Sequence, residues 1–185
     1  AEGSKFLATD TGAVYIGDGS QWTETGSISG SPGGVMAAPG EVQSVIDEYS
    51  TDEQWGPKPM RTITLMSGTT YEPTDTWALK SGIRLDCNGA LIRPQGDFNT
   101  LELERDTVVQ EPRINVADVD EYTSACIAMI PATGKISTPN PARITDCHLF
   151  NNTQSGVGIQ FKADSSPIAM QRADGIIDNF DRGVE

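Results

Sequence analysis

Histidine occurs once, lysine five times and cysteine three times in 185 residues, and no apolar run approaches the roughly 18 residues of a membrane span. Each scarcity excludes something. A single histidine, His148, cannot build a histidine-rich zinc site. No nucleophile is signalled around it either, so a core or groove position is expected. Cys87, Cys126 and Cys147 are odd in number and not at metal-ligand spacing, and read as small core residues rather than a disulfide framework. With 13 Lys and Arg against 26 Asp and Glu, the net charge of −13 argues against a partner made of nucleic acid. Membrane insertion is not expected. The Gly-rich stretch at 26–40 lacks lysine and has no phosphate-binding spacing, so no nucleotide or other cofactor is expected.

What is present is punctuation: 19 Gly and 11 Pro between short β-branched runs. Arg61-Thr62-Ile63-Thr64-Leu65 leads to Ile83-Arg84-Leu85-Asp86-Cys87, an Asn88-Gly89 corner and Ala90-Leu91-Ile92. Asn-Gly supplies positive φ, but strands this short cannot stand as an isolated hairpin. Similar runs recur at Arg113-Ile114-Asn115, Ile144-Thr145-Asp146 and Ile176-Ile177-Asp178. An acid or amide thus falls at 86, 115, 146 and 178, at intervals of 29, 31 and 32. A second series, Leu101-Glu102-Leu103, Ile127-Ala128-Met129 and Ile159-Gln160-Phe161, runs in phase with it.

The expected class is all-β: a right-handed parallel β-helix, or solenoid, with an N-terminal capping helix and a small β-hairpin arm. The alternative is chance likeness among short β segments. Asp86, Asn115, Asp146 and Asp178 would form a structural ladder of corner residues.

Four segments follow in order. Residues 1–25 form a hairpin or meander whose Phe6, Tyr15 and Trp22 seek a partner surface or identical copies. Residues 26–40 are a Gly-rich linker. Residues 41–59 hold a short amphipathic helix, with Val42, Val45, Ile46 and Tyr49 on one face, and an entry loop. Residues 60–185 are the repeat region. It breaks off inside a Gly-led strand, so a chain continuing beyond 185 is expected.

Chemistry is sparse. Asp86, Asp146 and Asp178 would lie about 4.8 Å apart per layer if they shared a corner, close enough for a pair to act on a glycosidic bond. Corner acids more often satisfy the backbone of their own turn. Asp118, Asp120 and Glu121 are weak candidates for a hard cation, since they lack EF-hand spacing. Trp55, Tyr71 and Trp77 would pack on the helix or stack on sugars, and packing is the expectation. Asn151-Asn152-Thr153 is a sequon in a predicted loop, open to glycan if the protein is displayed outside a cell.

The helix, the Arg61–Met66 strand and the run from Ser81-Gly82-Ile83-Arg84-Leu85-Asp86-Cys87 to Ile92 resemble the opening of pectate-lyase-like right-handed β-helix proteins, many of them viral tail spikes or fibres. Phe6-Leu7-Ala8-Thr9-Asp10-Thr11-Gly12-Ala13-Val14-Tyr15, followed by Gly17-Asp18-Gly19-Ser20-Gln21-Trp22, resembles a β segment common in virion proteins of phages and haloarchaeal viruses. With the acidic composition, which suits high salt, the resemblance implies a virion tail fibre, tail spike or turret-like component of a halophilic virus. It would dock on other virion proteins through residues 1–40, be localised in the particle as a homotrimer, and attach to a host cell-surface glycan or glycoprotein. No catalytic motif of the family carries over, and an enzyme is not expected. The alternatives are a polysaccharide depolymerase, lyase or glycoside hydrolase, and a cellular surface protein.

Overall fold

Short strands, many of them with alternating burial, dominate the computed structural model, which describes residues 5–7, 13–17, 22–27, 34–49, 60–130, 142–152, 154–161, 172–178 and 180–184. Two compact units result, Ala1–Val35 and Met36–Glu185. In the first, β1 (Lys5–Leu7), β2 (Ala13–Gly17) and β3 (Trp22–Ser27) form an antiparallel sheet in that order, with a register shift between Val14 and Tyr15.

The second unit opens with β4 (Val35–Ala37), α1 (Val42–Tyr49), β5 (Arg61–Leu65), β6 (Thr70–Tyr71) and β7 (Trp77–Leu79). Two similar triplets follow: β8 (Ile83–Asp86), β9 (Leu91–Ile92) and β10 (Leu101–Leu103), then β11 (Val108–Gln110), β12 (Arg113–Asn115) and β13 (Ala125–Met129). The last strands are β14 (Arg143–Phe150), β15 (Val157–Phe161), β16 (Arg172–Asp178) and β17 (Arg182–Val184). A five-stranded sheet has the order β17-β15-β13-β10-β7. A nine-stranded sheet runs β4-β5-β8-β11-β14-β12-β9-β6, with β16 also paired to β14. Registers among β5 to β17 are parallel throughout.

Register explains the core. Ile63, Leu85, Val109 and Ile144 are matched across four strands, Tyr71, Ile92, Ile114 and Leu149 across another four, and Trp77, Leu101, Ile127 and Ile159 across four strands of the five-stranded sheet. All of them are buried. Strands spaced about 4.8 Å apart bring matched side chains into contact, and each fully buried Leu, Ile or Val contributes roughly 1.5–3 kcal/mol. At the corner after β8, Asn88 (φ +46) and Gly89 (φ +74) both take positive φ. The Asn88 N–H donates to Asp86 Oδ1 at 3.1 Å and its Nδ2 to the Leu65 carbonyl at 3.3 Å.

The expected class is corrected by this arrangement. Rather than an all-β right-handed β-helix, the second unit is, among its described residues, mostly parallel β with one helix, its strands divided between two separate parallel sheets, nearer to an α/β arrangement. The physical reason is that a period near 30 residues specifies parallel recurrence of strands. It carries no information about hand, about how strands divide between sheets, or about a helix contributing to the same core.

That helix is tied to both sheets. Val42 and Ile46 are buried, and Tyr49 lies under the Arg61 guanidinium, 5.4 Å from the ring centroid. Gln43 Oε1 accepts the Ala78 N–H of β7 at 2.8 Å, while its Nε2 donates to Asp47 at 2.7 Å. Since β7 ends the five-stranded sheet, a helix side chain satisfies a donor on an edge strand that no further strand pairs. Tyr71 joins the same region: its hydroxyl donates to the Ala37 carbonyl at 2.7 Å and accepts the Met66 N–H at 2.8 Å. Burial pushes the Tyr71 phenol above its usual pKa.

Two substitutions separate these contributions in urea unfolding. Ile46→Ala is expected to cost about 2–5 kcal/mol by cavity formation. Gln43→Ala should cost about 1 kcal/mol by freeing one backbone donor, so equal costs would contradict the edge-capping role.

Candidate binding face

The four ladder residues do not share one column, which corrects that expectation. Asp86 matches Thr64 on one side and Gln110 on the other. Asn115 and Asp178 both match Phe150, from opposite sides of β14. Asp146 lies within the register shift between Ile144 and Cys147, at φ +54. Counting residues misplaces the column because β14 is long. Its first half pairs with β11 and its second half with β12. Stacking of Asp86, Asp146 and Asp178, the arrangement that acid–base work on a glycan would need, is therefore not assembled. Local roles replace it: Asp86 caps its turn, and Asn115 Oδ1 accepts the Ala117 N–H at 2.9 Å.

The other candidates fall as follows. Asp118 is ion-paired with Arg93, Asp120 is exposed, and Glu121 is exposed with φ +52. Among the described residues no three His, Cys, Asp or Glu side chains converge as metal ligands. Phe6 matches Tyr15, and Trp22 matches Gly17, in the backbone register of the first unit. The side-chain contacts expected of Phe6, Tyr15 and Trp22 lie outside what is described, as does Trp55. Tyr71 and Trp77 are buried, with ring centroids 6.0 Å apart and planes at 85°, so they pack together in an edge contact. The three cysteines are buried and free. Burial drives the Cys87 and Cys126 thiols far above the usual range, which leaves them unreactive.

His148 is the informative departure. Cys147 and Leu149 point inward from β14, so His148 and Phe150 point outward, and His148 is exposed rather than in the core. Arg113 of β12 and Ile176 of β16 match His148, while Asn115 and Asp178 match Phe150. Six outward residues thus occupy two columns over three adjacent strands, spanning roughly 10 Å across strands and about 7 Å along them. Arg113, His148 and Asp178 are exposed, as are Phe150 (38%) and Ile176 (59%). The Arg93–Asp118 pair borders the face where β9 ends. Part of the signal was present in the sequence: Ile114 lies between polar Arg113 and Asn115, and an inward Ile114 obliges both to point out.

A concavity of about 190 Å³ lies beside α1 and is lined by Gln43, Glu72, Asp75 and Trp77 among others. Its Gln43 is engaged by Ala78, and its Trp77 ring is buried.

Comparison with family models, curated proteins and solved structures returned no match. Function must be argued from the chain's own geometry.

Two further residues settle local questions. Asp97 accepts hydrogen bonds from the Thr123 N–H (2.9 Å), the Thr123 hydroxyl (2.6 Å) and the Ser124 N–H (2.9 Å). Burial acts to raise its pKa, but those bonds together outweigh it and hold the carboxyl below the usual range. A depressed folded pKa gives stability that is present above the unfolded value near 3.9 and is lost as pH falls through the folded one. The stability advantage of the natural chain over Asp97→Asn should therefore be full at about pH 6 and shrink below about pH 4 in acid titrations of the unfolding midpoint.

Asn151, the sequon asparagine, is fully buried. Its Nδ2 donates to the Ser155 carbonyl at 2.7 Å and its Oδ1 accepts the Asn152 N–H at 2.7 Å. The expectation of an open glycan site is thereby corrected, because the amide nitrogen to be modified is engaged inside the fold. Protein secreted from a glycosylating host should show no added mass on the peptide containing Asn151.

Proposed function

We propose that this chain is a virion structural protein, a tail fibre, spike or turret-like component. Residues 1–40 hold it to other proteins of the particle, and the parallel-sheet unit presents a surface for attachment to a host glycan or glycoprotein. The observation that carries this reading is the division into two units of different construction. A three-stranded antiparallel sheet is a single layer that must bury a face against another element, whereas the following unit has its own continuous core. Such a piece gains stability by packing against something, and a particle surface or two further copies of the chain would supply it. The net charge of −13 supports a setting in concentrated salt, where self-repulsion is screened. The alternative is a polysaccharide depolymerase, whose acids would be other than a stack of Asp86, Asp146 and Asp178.

Light scattering of the full chain in molar salt, with sedimentation alongside purified particles, tests the proposal. The expected result is a trimer mass and co-sedimentation, both lost on deletion of residues 1–35. A monomer that stays in the supernatant overturns it.

A further inference from the structure

We infer that the outward face of β12, β14 and β16 is a subsite for a carboxylated sugar residue, with Arg113 as the anion-binding group and Phe150 as the stacking platform. The inference rests on reading the parallel-sheet unit as the attachment surface, and adds the place and the chemical class of what is bound.

Charge makes the first half of the argument. Acidic groups outnumber basic ones two to one in this chain, yet among the described residues the Arg113 guanidinium has no ion-pair partner, and the residue matched with it across the sheet is His148. An exposed guanidinium with no carboxylate opposite it in the register is open to an external anion. Asp178 is matched with Phe150 rather than with either of them, and Asp118 is taken by Arg93. The bidentate fork of a guanidinium fits a carboxylate.

Shape makes the second half. Phe150 keeps 38% of its surface exposed, and Ile176, beside His148, keeps 59%. An aromatic face with an amide (Asn115), a carboxylate (Asp178) and a guanidinium around it offers stacking for a ring and both donors and acceptors for hydroxyl groups. The area, about 10 by 7 Å, holds one or two sugar rings. Nucleic acid is the less suitable polyanion. Binding to nucleic acid rests on several Lys and Arg neutralising successive phosphates, whereas this face offers, among its described residues, one guanidinium outside an ion pair.

The test uses the full chain and two labelled polymers of known composition, alginate as a polyuronate and dextran as a neutral glucan, with binding read by fluorescence anisotropy at up to about 1 mM sugar residues, the weak end of specific affinity. Alginate should bind and dextran should not. Arg113→Gln should weaken alginate binding about tenfold, and Phe150→Ala should weaken it as well. Arg143→Gln, at the far end of the same strand, should leave it unchanged. Both site residues are exposed, and unaltered thermal unfolding of the variants will show that the fold is kept. Equal affinity for dextran, no alginate binding, indifference to Arg113→Gln, or preference for oligodeoxythymidine each overturns the subsite. Co-sedimentation with particles does not involve these residues. Its success with a failed glycan result removes the subsite alone, and its failure removes the attachment reading whatever alginate does.

Discussion

Parallel register is the constraint on which the rest of this molecule depends. A residue in one strand is fixed against a particular residue in the next, so one apolar position per strand becomes a buried column such as Ile63, Leu85, Val109 and Ile144. A slip of one residue would turn every such column outward at once. Side chains at the corners guard against that slip. Asn99 Oδ1 accepts the Ala125 N–H at 3.1 Å, Asp97 receives the Thr123 and Ser124 donors, and the Tyr122 hydroxyl donates to the Phe98 carbonyl at 3.1 Å. Each bond joins segments more than 20 residues apart in sequence.

The same logic accounts for a buried charge. Glu104 is 3% exposed and accepts from Lys80 Nζ at 3.2 Å and from the Ser81 N–H at 3.3 Å. Lys80 keeps 32% of its side chain exposed, so the pair is half-buried and adds little to stability, but removing the lysine leaves the buried Glu104 without its ion-pair partner. Its effect is therefore specificity of position: Glu104 in one turn of the chain can be accommodated only where Lys80 and Ser81 of the preceding turn meet it. Gly156 acts similarly at φ +69, where a Cβ would come within 2.8 Å of the Tyr122 ring and 2.9 Å of two carbonyl oxygens. Only glycine lets those segments approach so closely.

Inward order dictates outward order. Because Ile114 and Leu149 must face the core, Arg113, His148, Asn115 and Phe150 are delivered together to the opposite face without any contact among them being needed to hold them there. A surface built this way can change its side chains at little cost to the fold, since the columns behind it supply the stability. That separation suits a recognition surface, and it explains why the outward residues follow no repeat while the inward ones do.

The sequence by itself determined the short strands, the recurrence near 30 residues, the Asn88-Gly89 corner, the amphipathic α1 and the location of much of the core, because alternation and turn chemistry are local properties. Only the tertiary structure decided how the strands divide between two parallel sheets, and that Asp86, Asn115, Asp146 and Asp178 are not one ladder. It likewise decided that His148 is exposed and Asn151 is buried. The reason is that β14 pairs with different strands along its two halves and shifts register between Ile144 and Cys147. A register is a relation between distant segments, and residue spacing along one of them does not contain it.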